Sequence, residues 1–271
     1  MKAAFAASIA LLSLPFAAHA ADKITIATVG SSSAMNWPLL VGIEKGIFVK
    51  DGVSLDLYAA QSSAAVQQQA AAGSVDMATG GLIDPLRAID QGAPITVVRI
   101  EAKYPPYGLY AQKNIHSYAD LKGKTLMVGG AKDVTRIYLQ RMMAPNGLKP
   151  GDYDLIYAGA TSARFASLQS GAVAASLLSA PFNFKAQSLG FTDLGTTIDY
   201  VKDFPFTAYS ANIAWAKAHK SALQGFLKGY ADSVAWFNDP AHKQEAVDIL
   251  VKRTGAQPDD AAKTYDFFIK Y

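Results

Sequence analysis

The chain has 271 residues, of which 51% are hydrophobic and 17% charged, with no cysteine and a formal charge of +3. This length exceeds one ordinary core, and the hydrophobic content excludes disorder. The lack of cysteine excludes a disulfide framework and a lipidated cysteine anchor, and the slight positive charge is far below the excess that nucleic-acid binding requires.

Met1-Lys2, the apolar run Ala3 to Leu14 and Ala18-His19-Ala20 read as an export signal over residues 1–20, cleaved before Ala21. The run is too short to span a bilayer, and losing Lys2 leaves a charge of +2. Lys23 to Val29 alternates as a first strand, ending in the loop Gly30 to Ser33. A helix follows over 36–45 and stops at Gly46, Phe48 to Gly52 turns, and Val53 to Tyr58 is a second strand. Ser62 or Ser63 caps a helix running to Ala72. Val75 to Ala78 is a short third strand, Asp84-Pro85 opens a helix, and Ile95 to Ile100 is a fourth strand. This alternation predicts parallel strands.

Tyr104-Pro105-Pro106-Tyr107-Gly108 breaks the rhythm with a stiff extended segment, because proline fixes its own dihedral and restricts its predecessor. A second unit starts at Asp120-Leu121-Lys122-Gly123-Lys124 and runs to Leu194. It repeats the first: Gly73-Ser74-Val75-Asp76-Met77-Ala78 returns as Gly171-Ala172-Val173-Ala174-Ala175-Ser176, and Thr25 to Gly30 as Thr125 to Gly130. Two long copies suit two similar lobes better than a solenoid. The expected fold class is therefore α/β, with lobe one over 21–103 plus 209–271 and lobe two over 109–206. Phe204 to Tyr209 makes the return crossing. Helices over 221–237, 241–252 and 259–271 should pack on lobe one. The last stops among aromatic residues without a terminating signal, so the end reads as unfinished.

Searches for catalytic and metal chemistry find little. His19, His116, His219 and His242 stand singly, so no metal is expected, and no phosphate-cradling, dinucleotide or nucleophile-elbow motif occurs. The carboxylates Glu44, Asp56 and Asp154 read as solvated surface. What remains is a set of small polar loops at strand ends: Gly30 to Ser33, Gln61 to Ser63, Thr79 to Gly81, Gly129 to Asp133, Ala160 to Ser162 and Ser179 to Asn183. Ligands of α/β sheets bind at such ends, where helix amino termini favour anions, although each serine also serves as a simple cap.

The candidate ligand contacts are Ser32, Ser33, Gln61, Ser62, Thr79, Gly80, Gly130, Lys132, Asp133, Thr161, Ser162 and Arg164, with Trp37 and Phe182 as stacking rings. Lys132 and Arg164 would aim cations into the cleft, or else face solvent. Arg99 would be neutralised by Glu101 on the same strand face. Trp37, Phe182, Phe206 and Tyr209 would stack on a solute or fill the core. The reading is an anionic solute.

Trp37-Pro38-Leu39 with Glu44-Lys45-Gly46-Ile47-Phe48, Ala72 to Ala78, Asp120 to Thr125, Gly147-Leu148 and Ser170 to Val173 together resemble the periplasmic substrate-binding proteins of ABC importers, in the group that takes up nitrate, sulfonates, taurine and thiamine precursors. The resemblance implies a type II-like fold of two lobes on a two-crossing hinge. It also implies a small solute bound in the cleft and delivered to a membrane permease; a periplasmic monomer without cofactor is expected, and export with no visible catalytic group argues against an enzyme. The chain departs from that pattern at Ala174, where relatives carry aspartate, and in lacking a final helix or two. An enzyme of pyrimidine or menaquinone synthesis on the same fold, or an exported sensor, is the alternative.

Overall fold

Alternating apolar side chains put Ile24 and Ile26 wholly inside the first strand, β1 (Asp22–Val29), which pairs in parallel along its whole length with β2 (Val53–Ala60). The computed structural model describes residues 21–31, 33–202 and 204–270. The expected export signal over 1–20, Ser32 and Tyr271 lie outside the described residues. β3 (Met77–Gly81) and β4 (Ile95–Ala102) complete the first unit. β5 (Tyr107–Ala111), β6 (Thr125–Val128), β7 (Asp154–Tyr157), β8 (Ala175–Ser179) and β9 (Thr192–Thr196) follow, and β10 (Thr207–Asn212) comes last.

They form two five-stranded sheets, ordered β2-β1-β3-β10-β4 and β7-β6-β8-β5-β9. The order is the same in both, as the duplicated sequence implies. The expectation of parallel strands alone needs correction: β10 runs antiparallel between β3 and β4, and β5 antiparallel between β8 and β9. Each enters its sheet directly from a crossing, so Tyr107 and Thr207, expected as connectors, are already strand residues. The crossings lie side by side, with Phe206 N–H on the Ala102 carbonyl at 2.9 Å and Leu82 N–H on Phe206 at 2.9 Å.

The repeat is visible at one shared joint. Asp76 N–H donates to the Thr25 carbonyl at 3.1 Å, and Ala174 N–H donates to Thr125 at 2.8 Å. In the first copy the Asp76 carboxylate also accepts from Thr25 N at 2.8 Å and Oγ1 at 2.7 Å. Ala174 keeps the backbone bond and forgoes that clamp. Because the joint takes up Val75 and Asp76, β3 begins at Met77, two residues later than the sequence suggests, and Thr79 and Gly80 are strand rather than loop.

Ser62 Oγ accepts from Ala65 N at 3.2 Å and starts helix Ser63–Ala71. Residues 48–50, expected in a turn, belong to a helical turn, Ile47–Lys50, after the left-handed Gly46. A short helix, Ile213–Ala218, was not expected, and helices Lys220–Asn238, Lys243–Thr254 and Pro258–Lys270 follow. The long helix covers the first sheet, where Phe226 and Tyr230 join Ile24, Ile26, Met77 and Tyr209 in one core. The last helix does more than cap that lobe. Its Phe267 ring meets Phe184 at 6.0 Å and its Asp260 accepts from Ser188 Oγ at 3.2 Å, and both partners belong to helix Phe182–Ser188 of the second sheet's half.

Candidate functional site

The strand-end loops of the two sheets meet. Ala34 N–H bonds the Ala180 carbonyl at 3.2 Å, and Arg87 Nη1 donates to the Lys132 carbonyl. Gly159 sits so close to Gln61 and Ser62 that a Cβ there would lie 2.1 Å from the Gln61 oxygen. Between these contacts is a cavity of about 70 Å³. At roughly 10–15 Å³ for each water-sized group, it has room for about five to seven of them.

Of the sequence-predicted contacts, Ser33, Thr79, Gly80, Asp133, Thr161, Ser162 and Phe182 line this cavity. Ser33 Oγ also accepts from Met35 N at 3.2 Å, and Asp133 Oδ1 caps helix Val134–Met143 by accepting from Thr135 N at 2.8 Å. The other candidates lie elsewhere. Gln61, Ser62 and Gly130 stand outside the wall, the first two pressed against Gly159. Lys132 is exposed on the outer side of its loop. Trp37 is wholly buried among Phe237, Tyr265 and Phe268, and its Nε1 donates to the Ala246 carbonyl at 2.9 Å.

Arg164 is the largest correction. It is 1% exposed and spends its guanidinium on the wall itself, with Nε on Leu177 O at 2.8 Å, Nη1 on Ala158 O at 2.9 Å and Gly159 O at 2.6 Å, and Nη2 on Thr161 Oγ1 at 2.8 Å. The side chain doubles back under its own helix start and braces the loop. With Lys132 outside and Arg164 behind, no lysine, arginine or histidine lines the cavity among the described residues.

Glu101, expected only to neutralise Arg99, lines the cavity instead. Its carboxylate accepts from Thr79 Oγ1 at 2.9 Å, Tyr230 OH at 3.1 Å and Tyr209 OH at 3.2 Å. Burial raises its pKa, while these hydroxyls oppose the rise. Arg99 stacks over the Tyr230 ring at 4.6 Å rather than pairing with Glu101. Asp84, just behind Gly81, is pushed up to about 6 by burial, with the charge of Asp133 adding to the effect. Ser63, read from sequence as part of a strand-end loop, also lines the wall, as do Tyr107 and Thr207, read only as parts of the crossings. Glu101 had one legible signal, a carboxylate at the carboxyl end of a strand among the predicted pocket loops.

Two mixed sheets of one order, each taking in the strand that follows a crossing and together enclosing a cavity between their loops, define the periplasmic-binding-protein fold. A ligand-binding component of an ABC-type import system from Staphylococcus aureus superposes with a TM-score of 0.78 over 90% of this chain and 84% of that one, and its 15% identity speaks for the fold alone. The chain belongs to the NMT1/THI5-like family, whose model matches residues 34–243. It is 25% identical over 249 residues to the nitrate/nitrite binding protein NrtA of Synechococcus elongatus, covering 79% of this chain and 55% of that protein. It is also 25% identical over 147 residues to the 4-amino-5-hydroxymethyl-2-methylpyrimidine phosphate synthase THI5 of Saccharomyces cerevisiae, covering 53% of this chain and 43% of that one. The chain thus spans about half the length of the curated relatives it matches.

Proposed function

We propose that this protein captures a small solute in the cavity between its sheets and, closed around it, presents it in the periplasm to the membrane permease of an ABC importer. The observation that carries the reading is the cavity itself, enclosed by strand-end loops from both sheets. Residues 21–103 with 209–271, and 109–206, act as the two lobes. The paired crossings are the hinge, because two rigid halves joined by short extended segments can close on a ligand. The similarity to NrtA supports the same role.

The test is a thermal-shift screen of the purified protein against a library of small metabolites, followed by solution scattering with each hit. A binding protein gains stability as ligand rises above its Kd, by about 2.7 kcal/mol at a hundredfold excess, and becomes more compact. A screen with no stabilising solute, or a hit that is chemically converted on incubation, would overturn the reading.

A further inference from the structure

The cavity wall bears two charged side chains among the described residues, Glu101 and Asp133, and no lysine, arginine or histidine. They stand on opposite sides: Glu101 is near the end of β4 in the first sheet, and Asp133 opens the helix after β6 in the second. We infer that the solute is a small organic cation bearing N–H donors, an ammonium or amidinium group held between Glu101 and Asp133. This rests on the solute-binding reading above and specifies the chemistry of that same site.

The surroundings of the carboxylates agree with that assignment. Three hydroxyls orient Glu101 without cancelling its charge, since Thr79, Tyr209 and Tyr230 are neutral donors. The nearby arginines are engaged elsewhere: Arg99 on the Tyr230 ring, Arg164 on backbone carbonyls, and Arg87 on the Lys132 carbonyl beside Asp84. An anion would enter against two like charges, whereas a cation is attracted by both.

A second observation comes from the uncharged wall. The hydroxyls of Ser63 and Thr207 line the cavity, and each residue is 5% exposed. Ser63 bears on Asp84 and Thr207 on Glu101 as hydroxyl donors that hold those pKa values down, and neither hydroxyl oxygen accepts a hydrogen bond. A buried hydroxyl in that state carries a desolvation cost that a ligand N–H group relieves. At the far end, helix Thr161–Gln169 starts at Ala160 with no side-chain cap, so its first N–H groups can receive an acceptor atom on the same solute.

The arrangement also couples binding to closure. Asp84 on the first half and Asp133 on the second repel across the cleft, and Glu101 adds a third carboxyl to that balance. Before solute arrives this repulsion opposes the approach of the lobes. A cation between them offsets part of it.

The experiment is calorimetry with butylammonium and acetamidinium, set against butanol, butanesulfonate and nitrate as probes of similar or smaller size. The two cations are expected to bind, and Glu101→Gln and Asp133→Asn to weaken them ten- to a hundredfold. Asparagine retains the capping oxygen, and ligand-free melting temperatures check that both variants are folded. Lys132→Ala should bind as wild type does. Binding of butanesulfonate or nitrate with the cations inert would overturn the charge assignment and leave the solute-binding reading standing. Silence from every probe would also overturn it, and the metabolite screen would then decide separately whether the cavity binds any solute.

Discussion

Arg164 donates to three backbone carbonyls from a nearly solvent-free site, so truncating it leaves Ala158, Gly159 and Leu177 oxygens unpaired behind the cavity wall. Arg164→Ala is expected to cost about 2–5 kcal/mol of stability, since each orphaned group costs about 1–3 kcal/mol and some admit water. The melting temperature should fall by several degrees, against no change for the exposed Lys132→Ala. Equal melting temperatures would mean that the guanidinium faces the cleft after all. Asp84 gives a pH-dependent counterpart. Its carboxyl is raised from the ordinary 3.8 to about 6, chiefly by burial, so between those values the folded protein binds the proton that the unfolded chain has released. Stability from this group is full below about pH 4 and is lost as pH rises through about 6. At 1.36 kcal/mol per pH unit this amounts to at most about 3 kcal/mol. Melting curves from pH 4 to 7 should therefore slope downward in wild type and flatten in Asp84→Asn, and parallel slopes would exclude the assignment.

At the scale of elements, the long helix Lys220–Asn238 approaches the first sheet through glycines. A Cβ at Gly225 would lie 2.5 Å from the Asp51 carbonyl oxygen, and one at Gly229 would lie 2.6 Å from Phe48 Cδ1. Backbone cannot give way as a side-chain tip can, so Gly225→Ala must lift the helix or bend the turn beneath it. Overpacking of this kind costs about 1–3 kcal/mol. Chemical denaturation should show a lower midpoint, with solute affinity unchanged because the cavity lies at the other end of the strands. The helix itself is legible in the apolar spacing of Ala222, Phe226 and Tyr230, and its neighbour is not, since closeness of approach depends on which residues another element brings.

For the whole molecule the critical contact is Gly159 against Gln61 and Ser62, where backbone from the two halves meets. Gly159→Val is expected to leave each half folded and to hold them apart. Its scattering profile should be more extended than that of wild type, and its solute affinity at least tenfold lower. An unchanged radius of gyration would count against this contact as the place where the halves meet on closing. The sequence by itself determined the repeated unit, the α/β class, the helix starts and seven of the residues that line the cavity, because strand alternation, capping serines and glycine stops are local and short in range. Ser33, Asp133, Thr161 and Ser162 were readable in that way. Only the tertiary structure decided that β5 and β10 run antiparallel inside the opposite sheets, because an extended segment looks the same whichever way its partner runs. It also decided the sign of the site's charge. Whether Arg164 enters the cleft or folds back on Leu177, and whether Glu101 meets Arg99 or three hydroxyls, depends on carbonyls and side chains brought from as many as 129 residues away.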